Sequence, residues 1–250
     1  MSGRWLRTHA PRDDASVRLL CFHYAGGNAA MFRQWHALLP GDVEPVAVQL
    51  PGRDDRHAEP PYDEMGPLVA ALLPAVVPLL DRPYACYGFS MGARVALELV
   101  HALRARGFPL PVRLFVASSA APSLRLPVRG WSEPDEGLIA YLRELGGTPT
   151  AVFDHPELLE LFLPVVRADL AVVGRHDPPS RAPLDVPIRA FAGADDTGAS
   201  PERMAPWRAE TSAAFDLTVV PGAHFFTDDG LRQVLRTAAE DLLAVDPSGQ

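Results

Sequence analysis

One run constrains this chain more than any other: Tyr84-Ala85-Cys86-Tyr87-Gly88-Phe89-Ser90-Met91-Gly92-Ala93-Arg94-Val95-Ala96. Residues 84–89 are a short apolar stretch, as a buried strand requires, and residues 91–100 carry helical spacing. Between them Gly88 and Gly92 flank Ser90 in a G-x-S-x-G turn. A strand that turns directly into a helix crowds its own backbone, so a side chain at either glycine would clash. Such an elbow lifts the serine hydroxyl out of the sheet and sets the Met91 amide at a helix N-terminus, ready to receive an oxyanion. The plainer reading of the same residues is a glycine-rich turn with an N-cap serine.

The surroundings favour the elbow. Residues 17–24 form an apolar run that leads into Ala25-Gly26-Gly27 and a helical pattern over 29–39. A strand follows at 43–50, then a polar loop at 51–56 and a helix over 62–80, which Pro74 and Pro78 should kink. The elbow helix ends near Arg106-Gly107, and residues 112–119 read as another strand. Residues 1–15 read as a loose arm, with Trp5 pinning it to the surface. Between 124 and 183 the rhythm changes: residues 132–145 and 156–173 have helical spacing and are joined by Gly146-Gly147-Thr148-Pro149, with no strand between. The second of these helices is apolar nearly all round, which fits either full burial or the wall of an acyl channel. Strand, helix, strand and helix resume at 187–194, 201–211, 215–220 and 228–245. Alternation of this kind predicts an α/β fold, a mostly parallel sheet with helices on both faces. Ligands then bind at the carboxyl ends of the strands.

Composition narrows the function classes. At 250 residues the chain suits one large α/β domain. A formal charge of -8 gives no concentrated basic face, so no nucleic-acid partner is expected. All 23 basic residues are arginine. Cys21 and Cys86 lie in strand-like apolar runs and read as buried thiols of a cytoplasmic protein. The first residues lack the apolar core of a signal peptide, and the longest apolar run, 68–80, is too short to span a bilayer. A soluble cytoplasmic monomer without a membrane partner is expected.

A serine hydroxyl is a weak nucleophile unless a base takes its proton, and that base is usually a histidine oriented by a carboxylate. The chain order Ser, then acid, then His leaves His101, His155, His176 and His224 as candidates. Only His224 follows a strand, at 215–220, and precedes the last helix. The acid should follow the strand before it, where Asp195 and Asp196 both stand after Gly193. Asp196 is preferred, because such acids commonly sit three positions after the glycine. The loop Ala25-Gly26-Gly27 can approach the serine closely, which assigns the second oxyanion N–H to Ala25 beside that of Met91. Asp54, Asp55 and His57, Asp154 with His155, and His176 with Asp177 lack metal-ligand spacing and read as solvated loop residues. No phosphate loop or dinucleotide fingerprint is present, so neither a cofactor nor a metal is expected.

Seven pieces in order carry a resemblance: Cys21-Phe22-His23-Tyr24-Ala25-Gly26-Gly27, Leu50-Pro51-Gly52-Arg53 with Arg56, Gly88-Phe89-Ser90-Met91-Gly92, Gly146-Gly147-Thr148-Pro149, Arg167-Ala168-Asp169-Leu170, Gly193-Ala194-Asp195-Asp196 and His224-Phe225-Phe226. In these the chain resembles the type II (editing) thioesterases of polyketide and non-ribosomal peptide biosynthesis. The resemblance implies an α/β-hydrolase fold over residues 1–250, with 124–183 as an inserted helical lid. It implies hydrolysis of acyl groups from the phosphopantetheine arm of carrier proteins, so that the substrate brings the phosphopantetheine and acyl or peptidyl carrier domains are the partners. Carried over by position, Ser90 is the nucleophile, His224 the base, Asp196 the orienting acid, and Ala25 and Met91 the oxyanion donors. His23 departs from the pattern, since the family often has proline there. Carrier proteins are usually acidic, which makes Arg125 and Arg129 candidate docking residues. A product-releasing or cyclising thioesterase, a general carboxylesterase and a non-catalytic synthase-binding partner are the competing readings.

Overall fold

The computed structural model describes residues 4–244. Seven strands form one sheet: β1 (Leu6–Arg7), β2 (Val17–Phe22), β3 (Val43–Val48), β4 (Tyr84–Phe89), β5 (Arg113–Ala117), β6 (Ile188–Gly193) and β7 (Phe215–Val220). Their spatial order is β1-β3-β2-β4-β5-β6-β7, parallel throughout except where β1 pairs antiparallel with β3. The sequence-level expectation of a mostly parallel sheet is met. Every residue of β3 and β4 is buried, as expected of strands covered on both faces.

Strand alternation divides the core between the two faces. On one, Leu20, Val46 and Cys86 pack against α2 (Met65–Val76) and α3 (Met91–Ala105) through Leu68, Leu72, Leu99 and Val100. On the other, Leu19, Cys21, Phe115 and Phe191 pack against α8 (Asp228–Leu243) through Val234, Leu235 and Ala238. Cys21 and Cys86 thus lie on opposite faces, both buried and free.

Local departures from the sequence reading have physical causes. Residues 1–3 of the amino-terminal arm lie outside the described residues, and the rest is not loose: Leu6 and Arg7 pair with Val48 and Ala47, and Trp5 packs against Tyr62 beneath the Arg56 guanidinium, 4.2 Å away. The pattern over 29–39 resolves into a 3-10 helix, Ala29–Phe32, and one turn of α1 (Trp35–Leu38). Its amphipathic signal came from Phe32 and Trp35, whose rings meet edge to face at 4.8 Å in the core. Pro74 lies inside α2, and the helix tightens to a 3-10 turn at Val77–Leu79 around Pro78.

Between β5 and β6 the chain forms α4 (Asp135–Leu145), α5 (Thr150–Asp154) and α6 (Pro156–Gly174). These enclose a small core of Leu138, Leu142, Leu163, Val166 and Leu170, which also touches Ala25. The all-round apolar character of α6 does not mean all-round burial. Leu161 is 74% exposed and Leu158 41%, while Leu163 and Val166 face inward. One-turn α7 (Pro201–Met204) and a 3-10 helix, Ala205–Glu210, complete the elements between β6 and β7.

At the amino ends of the last strands lies an ion network. Asp241 of α8 is bound by Arg189 and stands 3.2 Å from Arg113, and Asp216 sits 3.7 Å from Arg113 and 3.4 Å from Arg189. Among the described residues, no helix is long and apolar enough to cross a membrane.

Phe191 is fully buried and stacks on Phe115 at 6.2 Å. Phe191→Ala should therefore cost about 3–5 kcal/mol of unfolding free energy. Urea denaturation would measure this, and a loss below about 1 kcal/mol would contradict the packing account.

Candidate active site

The elbow forms at the junction of β4 and α3. Ser90 adopts φ 55° and ψ -116°, outside the regions that residues with side chains prefer, and its amide donates to Ala117 O at 2.8 Å. The two glycines are required by packing. A Cβ at Gly88 would strike the backbone of Ala93, and one at Gly92 would strike the carbonyl of Phe22. The turn is thus wedged against β2.

Two other strands bring their following loops to the same edge. His224, beyond β7, places Nε2 3.1 Å from Ser90 Oγ and Nδ1 3.1 Å from Asp196 Oδ2. Asp196, beyond β6, is 5% exposed, and its other oxygen accepts the amides of Gly198 at 2.8 Å and Ala199 at 2.9 Å. Burial works to raise its pKa. The bond from His224 and the two amides outweigh burial, and the carboxyl stays below its ordinary range. A carboxylate can only accept, so the His224 Nδ1 facing it carries the proton and Nε2 is left to accept from the serine hydroxyl. Asp195 is exposed, and its amide bonds Gly222 O at 2.9 Å, so of the two candidates it is Asp196 that reaches the histidine. Aromatic rings fix the imidazole: Phe89 and Phe225 lie edge-on to it at 5.7 and 5.3 Å.

Ala25 and Met91 lie on the same side of the sheet, after β2 and at the start of α3. His23 Nδ1 lies 2.8 Å from the Tyr24 carbonyl, which also accepts Gly27 N–H at 2.9 Å. His23 is 1% exposed and its pKa is lowered to about 4, by burial first and then by Arg53, against the opposing pull of Asp169. It is therefore neutral, with the Nδ1 proton donated to the carbonyl.

The remaining histidines are elsewhere. His101 and His176 line a cavity of about 440 Å³ between α2 and α3, around Glu98, and His155 is exposed at the start of α6. Among the described residues, no group of three or more His, Cys, Asp or Glu is placed to hold a metal ion. Arg125 and Arg129 are exposed and already paired, with Asp177 at 2.7 Å and Glu144 at 2.8 Å.

Sequence reading gave no role to Arg53 or Asp169. Both are buried, and they form a bidentate pair with contacts of 2.5 and 2.7 Å. The available signal was a carboxylate standing among the apolar residues of α6, which burial forbids without a partner.

A mostly parallel sheet with a strand–serine–helix elbow at its carboxyl edge is the arrangement of the α/β-hydrolase fold. Within that fold, a model of the thioesterase domain matches residues 17–242, and the chain belongs to this thioesterase family of thioester hydrolases. It is 33% identical to the gramicidin S biosynthesis protein GrsT of Aneurinibacillus migulanus, over 97% of this chain and 95% of that protein. Among solved structures, RedJ, a thioesterase from the prodiginine biosynthetic pathway in Streptomyces coelicolor, superposes with a TM-score of 0.86 at 38% identity, covering 93% of this chain and 95% of RedJ. The type II thioesterase BorB from the borrelidin biosynthetic cluster gives 0.86 at 33% identity, over 95% and 97%. The resemblance read from the seven motifs is borne out.

The buried histidine has a measurable consequence. Unfolded His23 takes a proton near pH 6.5, whereas the folded site resists it until about pH 4. The stabilisation is complete above pH 6.5 and should decline by roughly 3 kcal/mol as pH falls to about 4. His23→Gln should make this decline shallower in urea titrations between pH 7 and 4.5. An unchanged decline would place the proton uptake on other groups.

Proposed function

We propose that this protein is a type II thioesterase that clears misprimed or stalled acyl groups from carrier domains of a modular polyketide or non-ribosomal peptide synthase. The observation that carries the reading is the chain of contacts Ser90–His224–Asp196, with 3.1 Å at both links. His224 Nε2 takes the proton of Ser90 as Oγ attacks the thioester carbonyl. The tetrahedral oxyanion is received by the Met91 and Ala25 amides, neither of which has a protein acceptor among the described residues. The intermediate collapses with cleavage of the C–S bond, and the His224 imidazolium returns its proton to the pantetheine sulfur. Water then attacks the acyl-serine with His224 again as base, releasing the acid and restoring Ser90. Asp196 holds the imidazole tautomer and stabilises its charged form in both halves. The base, nucleophile and oxyanion donors of this cycle come from the chain, water is the second reactant, and the substrate brings the phosphopantetheine.

Residues 124–183 are read as a lid. Two contacts support this: a Cβ at Gly147 would collide with the Phe225 ring beside His224, and Phe162 and Val166 of α6 press against Gly26. The exposed Leu158 and Leu161 lie on the outer side of that lid and offer an apolar contact to a carrier domain. Relatives of known setting agree with the biosynthetic role, since GrsT is named for gramicidin S biosynthesis and BorB for the borrelidin cluster. A carrier domain as partner and action in the cytoplasm belong to the same reading.

Two experiments test it. Ser90→Ala should lower kcat for thioester hydrolysis by about 10⁴-fold or more, and Asp196→Asn by about 10²–10⁴-fold. Residual turnover near the native rate in Ser90→Ala would remove the serine mechanism. Turnover should be faster on an acyl carrier-protein thioester than on the free acyl thiol or a p-nitrophenyl ester. Preference for the oxygen ester would instead indicate a general carboxylesterase.

A further inference from the structure

The oxyanion loop after β2 is held from outside the sheet. Oδ2 of Asp169, on α6, accepts the Gly26 amide at 2.7 Å. The same carboxylate binds Arg53, Nη1 to Oδ2 at 2.5 Å and Nη2 to Oδ1 at 2.7 Å. Arg53 in turn donates to Gly27 O and Pro51 O, both at 3.1 Å. The Tyr24 carbonyl is fixed by His23 and the Gly27 amide, as described above. Successive peptide units from Tyr24 to Gly27 are therefore each tied at an amide or a carbonyl. Because a peptide is planar and trans, holding the Tyr24 carbonyl and the following amide sets the direction of the Ala25 N–H between them. The contacts are also tight: a Cβ at Gly26, which has φ +80°, would stand 2.9 Å from Phe162 and 3.2 Å from Val166 of α6.

We propose that Asp169 and Arg53 are positioning residues for hydrolysis: their buried pair orients the oxyanion loop from α6, so the hole is complete only while that helix is seated on Gly26. This rests on the reading of Ala25 as an oxyanion donor. A carboxylate is suited to the task because it can bind the guanidinium with both oxygens and still accept an amide, whereas an apolar residue of the same size could fill the space but offer no acceptor.

The test separates orientation from folding. Asp169→Ala leaves a buried guanidinium unpaired and is expected to be less stable. The double variant Arg53→Met with Asp169→Leu removes both charges, keeps apolar volume and still lacks the acceptor for Gly26. Both variants should show kcat lower by about 10²-fold, the effect of losing one oxyanion donor, with KM within about threefold. The inhibition constant of an alkylboronic acid, whose tetrahedral serine adduct places an oxygen in the hole, should rise by a similar factor. The inhibition constant of an acyl-chain thioether, which forms no tetrahedral adduct, should stay unchanged. A folded double variant with native kcat would overturn the proposal, as would equal losses of boronate and thioether affinity. Ser90→Ala run alongside separates the two levels. If it retains turnover, the site reading itself fails; if it is inactive while the Asp169 variants turn over normally, the positioning role alone fails.

Discussion

A serine held at φ 55° and ψ -116° stores of order 1–3 kcal/mol of backbone strain, and the surrounding structure has to supply it. Four neighbours do so. The Ser90 amide bonds the carbonyl of Ala117 on β5, Gly88 lies against Ala93, Gly92 lies against Phe22, and α3 is packed over the sheet through Leu99 and Val100. Each comes from a central strand or from the helix that follows. Ser90 is placed precisely because the middle of the sheet holds its backbone, and the loops beyond β2, β6 and β7 are then brought to it by parallel topology.

Much of this is legible in the amino-acid sequence. The elbow announces itself because two glycines, a strand and a helix must coincide within a few residues. His224 and Asp196 follow from chain order and from standing just after strands, and the preference for Asp196 over Asp195, read from its spacing to Gly193, matches the carboxylate that reaches His224. What stayed hidden were features with no local period. β1 is two residues long, too short to show alternation. The helical pattern over 29–39 reported a buried Phe32 and Trp35 rather than a continuous helix. On α6, composition could not say which leucines face outward, because its partner surface is distant in the chain. The Arg53–Asp169 pair spans 116 residues, and its one sequence signal was the carboxylate among the apolar residues of α6, since Arg53 stands in a polar loop.

The helical segment between β5 and β6 packs directly on the loop after β2. Its own core is small and includes contact with Ala25, so seating the helices and shaping the loop are one packing event. Burial of Asp169 makes that event strongly discriminating. Drawn away from Arg53 and Gly26, the carboxylate loses every bond described for it at once.

The ion network of Arg113, Arg189, Asp216 and Asp241 lies at the opposite end of the strands from Ser90. Cohesion of β5, β6, β7 and α8 is thus secured at one pole, while the reactive loops hang from the other. Variation at one pole is thereby separated from cohesion at the other. Substitutions in the loops or the helical segment fall away from the tether that keeps the last strands and the final helix together.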